Sequence, residues 1–173
     1  MITKEAESNL PFQPGGTAPK AEIPIYSQPD AEAIADGETE PFEWMDLRDV
    51  ESAIERLIDA DEVVLTVDVA TLVLVYPFET AVVRELHAEN GIAFTRGELM
   101  KRIDETYRKI YELEEESQSS PTPEFADRKP IRNRPRSDGE FGIWGHDYRD
   151  LGVSSIEVHE ISNKIWLDLA MES

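Results

Sequence analysis

The stretch EVVLTVDVATLVLVYPF, residues 62–78, is the one on which the fold turns. Its valines and threonines favour a strand, because β-branched side chains pack well on a pleated surface. Thr66 followed by Asp68 instead resembles a capped helix start. Pro77 ends either element, since it has no N–H to donate and a fixed φ. We read the stretch as a short helix from Thr66 to Val75, buried on most sides.

Working outward, the neighbours are easier to place. Upstream, Leu47, Val50, Ile54, Leu57 and Ile58 recur at spacings of three and four in MDLRDVESAIERLIDAD. That is one apolar stripe, hence a helix, with Asp46 and Asp49 suited to its N-terminal turn. Downstream, TAVVRELHA (80–88) predicts a strand closed by the Asn90-Gly91 turn. In AFTRGELMKRIDETYRKIYELEEES, Thr95 and Glu98 have the spacing of a capping box. Leu99, Ile103, Tyr107, Ile110 and Leu113 form the buried stripe behind it. The run Glu114-Glu115-Glu116 opposes the helix dipole, so the C-terminal end is expected to fray. Residues 117–138 read as a Ser/Pro/Arg linker. The alternation in VSSIEVHEISNKIWLDLAM then predicts a β-hairpin turning near Ser162-Asn163.

Helix, helix, strand, long helix, linker, hairpin is the element order of a winged-helix-like α+β domain. Its helices would cover a three-stranded antiparallel sheet, within residues 43–173. Residues 1–42 stand apart. They hold six of the eleven prolines and many acids, so they are expected to form an extended or disordered arm. The apolar patches LPF and EIPIY within it, with Phe12, Ile25 and Tyr26, could dock in a partner's groove. A merely solubilising tail fits equally.

The composition excludes much. The 173 residues carry no cysteine, so there is no disulfide scaffold, thiolate metal cluster or cysteine nucleophile. The net charge is −20, which repels phosphate backbones and argues against a general nucleic-acid binder. No early stretch looks like a signal peptide or a membrane span. No serine sits in a nucleophile elbow, and no phosphate-binding or calcium-binding loop occurs. His87 and His159 are expected at the surface.

Two stretches break the pattern. GEFGIWGHDYRDLG (139–152) packs four glycines around Trp144, His146, Asp147 and Asp150. His146, Asp147 and Asp150 could serve as a base with its acid, or as metal ligands. Neighbouring residues in extended chain point to opposite sides, however, and favour a corner that shapes the chain. The second stretch, DRKPIRNRPR, is a basic island carrying Arg128, Lys129, Arg132, Arg134 and Arg136. It could grip phosphate, fold over the acidic helix face of its own domain, or bind a neighbouring subunit.

The segments YPFETAVVRELHAENGIAFTRGELMKRIDETYRKIYELEEE and SDGEFGIWGHDYRDLGVSSIEV together resemble a family of small proteins from large double-stranded DNA viruses of algae and protists. There a capped FT-x-x-EL helix and a G-x-WGHD-x-x-DL stretch precede a terminal hairpin. The resemblance covers residues 66–170 and implies a viral setting, with packaging in the virion. It implies no activity. The expected protein is therefore non-enzymatic, soluble and without cofactor or metal, a minor capsid or other structural component held by protein partners. The alternative is a winged-helix regulator that binds nucleic acid through residues 128–136.

Overall fold

The computed structural model describes residues 1–129 and 132–172. It is mixed α+β. The strands are β1 (Ile2–Glu5), β2 (Ala21–Pro24), β3 (Met45–Asp46), β4 (Val63–Leu65), β5 (Val69–Leu74), β6 (Ala81–His87), β7 (Phe94–Thr95), β8 (Gly152–Ile161) and β9 (Lys164–Glu172). The α-helices are α1 (Ala31–Ala35), α2 (Val50–Arg56) and α3 (Arg96–Ser117). Seven strands form one sheet in the order β1-β6-β5-β9-β8-β2, with β3 also paired to β8. Among the described residues only β5–β9 runs parallel within it. β4 and β7 make a small separate pair.

The stretch 62–78 is strand, not helix. Ala70, Leu72 and Leu74 face the main core, while Val73 turns to a second cluster on the opposite face. A central strand buried on both faces shows a continuous apolar run, which masks the alternation that would identify it. The expected three-stranded winged-helix-like sheet is thereby widened to seven strands, with β5 near its middle.

The N-terminal arm is a second correction. β1 pairs with β6, and β2 with β8, so residues 1–42 supply two strands to the sheet. Phe12, Ile23 and Ile25 are buried. The ladder gives this proline-rich chain the backbone partners that its local sequence cannot supply. Pro24, which has no N–H to donate, is the last residue of β2, and Ile25 N beyond it still donates to Ser154 O on β8 at 2.9 Å.

The long helix forms as its pattern predicts. Thr95 Oγ1 accepts from Glu98 N at 3.2 Å, but the Glu98 carboxylate reaches Glu89 N at 2.7 Å, so the box is half closed. Leu99, Ile103, Tyr107 and Ile110 are fully buried against one sheet face. Arg84 on β6 donates to Thr106 across that interface at 2.8 Å. The helix expected across 45–61 shrinks to the seven residues of α2, capped by Asp49. The hairpin β8–β9 turns at Ser162 and Asn163, both at positive φ, as a two-residue primed turn requires. On the second face, Phe12 packs with Val73 and Ala81, and Trp166 lies against them. His159, expected at the surface, lies beneath Phe12 and is 3% exposed. Among the described residues no helix is long and apolar enough to cross a membrane.

Candidate functional site

The charged groups of the linker and the corner converge at the C-terminal end of α3. Glu114 follows Ile110 by four residues and Tyr111 by three, so it continues the buried stripe of the helix. Its carboxylate is fully buried and faces the chain at 137–143. It accepts from Phe141 N at 2.6 Å, Gly139 N at 3.1 Å, Ile143 N at 3.4 Å and the Ser137 hydroxyl. One carboxylate thus takes the place of water for a whole loop. Gly139 is required there, because a Cβ would lie 2.7 Å from the Glu114 carbonyl oxygen. Gly142 has φ +64, and a Cβ on it would meet the Glu79 side chain at 2.5 Å.

Asp147 is the second centre. Arg128 grips it through two hydrogen bonds, and Arg134 adds a third at 3.2 Å. Arg134 also reaches Glu115 at 2.7 Å and Thr122 at 2.9 Å, with its guanidinium 5.3 Å from the Tyr111 ring centroid. Backbone bonds between Arg134 and Gly145 run both ways at 3.0 Å, which zips the linker to the corner. Tyr111 completes the knot by donating its hydroxyl to the His146 carbonyl at 2.9 Å. Burial pushes the Tyr111 phenol well above its ordinary range, so it stays a donor. Burial alone would also push the Asp147 carboxyl up. The hydrogen bonds and charges of Arg128 and Arg134 outweigh it and hold that carboxyl below its usual value.

A cleft of about 380 Å³ opens beside this network, walled by Tyr111, Thr122, Phe125, Arg128, Arg134 and Tyr148. On its wall, Asp147 and Glu115 are already paired with Arg128 and Arg134. A carboxylate held ionised between two guanidiniums is a poor proton acceptor, so the geometry suits a lock better than a base.

The other residues singled out from the sequence scatter. The His146 ring lies 5.7 Å from Tyr76, and Trp144 meets Tyr76 edge-on at 5.5 Å. Asp150 accepts from Asp147 N at 3.1 Å and closes the turn. Among the described residues, His146, Asp147 and Asp150 do not form a group whose ligand atoms come within reach of one ion. Phe12 and Ile25 are core, while Tyr26 is 40% exposed. Lys129 is exposed. The Arg132 guanidinium sits over Phe125 at 5.3 Å, and Arg136 pairs with Glu79 at the surface. Arg128 and Arg134 are buried.

Glu114, Tyr111 and Thr122 carry the network and were not expected to. For Glu114 the signal was its place on the apolar stripe, which the acid-rich context hid; the expected fraying is replaced by a buried clamp. No family model matches the chain, and no curated protein or solved structure matches it either.

Proposed function

We propose that this chain is a non-enzymatic interaction protein, docked in a larger protein assembly through its linker and corner. The supporting observation is the division of labour among their side chains. Arg128 and Arg134 are engaged within the fold, whereas Phe125 and Trp144 remain 52% and 43% exposed. Arg132 lies over Phe125, and Arg136 lines a surface hollow with Trp144. Tryptophan, other aromatics and arginine are the residue types that anchor protein interfaces, since they bury much area at little entropic cost. The virion implied by the motif resemblance is one such assembly.

The alternative, a regulator binding nucleic acid through residues 128–136, would have to rely on Lys129, Arg132 and Arg136 against a net charge of −20. The test is sedimentation of a producing-cell extract. The parent should travel far above its own 19.6 kDa. The double variant Phe125→Ala/Trp144→Ala should fall back to free chain while melting like the parent. A parent that sediments alone, or a double variant that stays in the assembly, overturns the reading. A gel shift on DNA at low salt, weakening steeply as salt rises, would favour the alternative instead.

A further inference from the structure

On the sheet face turned away from α3, three carboxylates stand in a row across three neighbouring strands. Glu22 on β2 is opposite Glu157 on β8, and Glu157 is opposite Asp168 on β9. Like charges directly opposite one another destabilise a sheet. His159 lies two residues beyond Glu157 and shares its face. Among the described residues, the ion-pair contact found for Glu157 and Asp168 is His159 Nε2 to Glu157 Oε2 at 3.8 Å, too long for a hydrogen bond.

The burial makes the arrangement unusual. His159 and Asp168 are each 3% exposed, and Nε2 of His159 is buried with no hydrogen-bond partner. A buried polar atom left unpaired loses its hydration with nothing in return, so its presence calls for a missing partner. One ligand atom from each of Glu157, His159 and Asp168 lies within 4.8 Å of the other two. Bonds of about 2.0–2.2 Å at tetrahedral angles set ligand atoms roughly 3.3–3.6 Å apart, a closure within reach of small side-chain rotations.

The surroundings hold two of the ligands in place. Phe12 stacks on the His159 ring with centroids 4.2 Å apart. Asp168 accepts from Gly15 N and from Leu169 N, both at 2.9 Å, which fixes its plane and leaves lone pairs on both oxygens. Glu157, its side chain 24% exposed, faces the solvent side and offers a route of entry.

We propose that Glu157, His159 and Asp168 bind one divalent first-row transition-metal ion, Zn²⁺ or Mn²⁺ in type. One imidazole with two carboxylates suits these ions; Ca²⁺ and Mg²⁺ favour oxygen-only sets. Since Gly15 and Phe12 touch two of the ligands, the ion would tie the N-terminal segment to the β8–β9 hairpin.

The experiment uses the full chain, freed of metal by chelation and titrated with Mn²⁺ while its amide ¹H–¹⁵N spectrum is followed. Paramagnetic broadening should begin at the amides of His159, Leu169 and Gly15, and stoichiometric Zn²⁺ should abolish it. Asp168→Asn and His159→Gln should each weaken Zn²⁺ binding about 100-fold or more, since even residues that only support a ligand cost about 10–100-fold. Broadening spread over the acidic surface without a centre at His159 overturns the proposal, as does broadening that Zn²⁺ leaves untouched. The mapping is made on the unaltered sequence, so a variant that fails to fold does not rescue or sink it.

Discussion

The Arg128 guanidinium and the Asp147 carboxylate meet edge to edge, Nη1 donating to Oδ2 at 2.7 Å and Nη2 to Oδ1 at 2.9 Å. This bidentate pair joins the linker to the corner across 19 positions of chain. Because the pair lowers the Asp147 pKa in the folded state, its contribution is fully present above the ordinary value of 3.8. It is lost as pH falls through the lower folded value. Asp147→Asn should therefore cost about 3–5 kcal/mol at neutral pH, since it leaves the buried Arg128 guanidinium without its carboxylate while Arg134 keeps only the Glu115 carboxylate. In urea titrations the gap between parent and variant should hold from about pH 8 to pH 5 and shrink below about pH 4. A gap that persists unchanged into that acid range would remove the ion pair from the account.

The basic island should divide sharply under alanine substitution. Arg134 is buried and touches Glu115, Asp147 and Thr122, so Arg134→Ala should destabilise by about 3 kcal/mol or more. Arg136, its side chain 70% exposed beside Glu79, should cost under about 1 kcal/mol. Thermal melts of the two variants side by side decide this. Equal, small effects would return the island to solvent.

What the sequence hid was hidden for physical reasons. The capped start of α3 and the β8–β9 hairpin were legible because each is local: Thr95 bonds three residues ahead, and Ser162-Asn163 turns upon itself. β5 was not legible, because Val73 and Leu72 are both buried, on opposite faces, and no period-2 contrast survives. The first strands failed for the opposite reason. β2 has few apolar residues, and its place is set by β8, more than a hundred residues away. At the corner, the glycines and Asp147 could be singled out by composition. Their clamp, Glu114, could not, since a glutamate among glutamates reads as solvated surface until a distant loop lays three N–H groups on it.

Glu114 supplies the third prediction. Glu114→Gln keeps the shape but turns an amide NH₂ toward backbone donors, leaving at least one N–H of the 139–143 loop unpaired. A loss of roughly 3 kcal/mol is expected, the scale of hydrogen bonds to a charged group. For a chain of this size that lowers the melting temperature by roughly 6–12 °C. The companion Glu116→Gln, exposed on the same helix, should melt like the parent. Matching losses in both would mean that net charge, not the clamp, sets the effect.

The last prediction concerns Phe12, the side chain that covers the second face. It is 6% exposed, stacked on His159 and edge-on to Trp166 at 6.3 Å. The segment that carries it is anchored at both ends, by β1 on β6 and β2 on β8. Removing the ring should thus open the segment locally before it weakens the sheet. Phe12→Ala forfeits about 3 kcal/mol of packing, which corresponds to opening roughly 100-fold more often. Amide exchange reads this directly. Gly15, bonded to Asp168, and Gly16 and Thr17, bonded to the Gln13 carbonyl, should exchange about 100-fold faster. Leu99 and Ile103 in α3 should keep most of their protection. If those helix amides accelerate as much as Gly15 does, the segment opens only with the whole fold, and Phe12 belongs to the same cooperative unit as the main core.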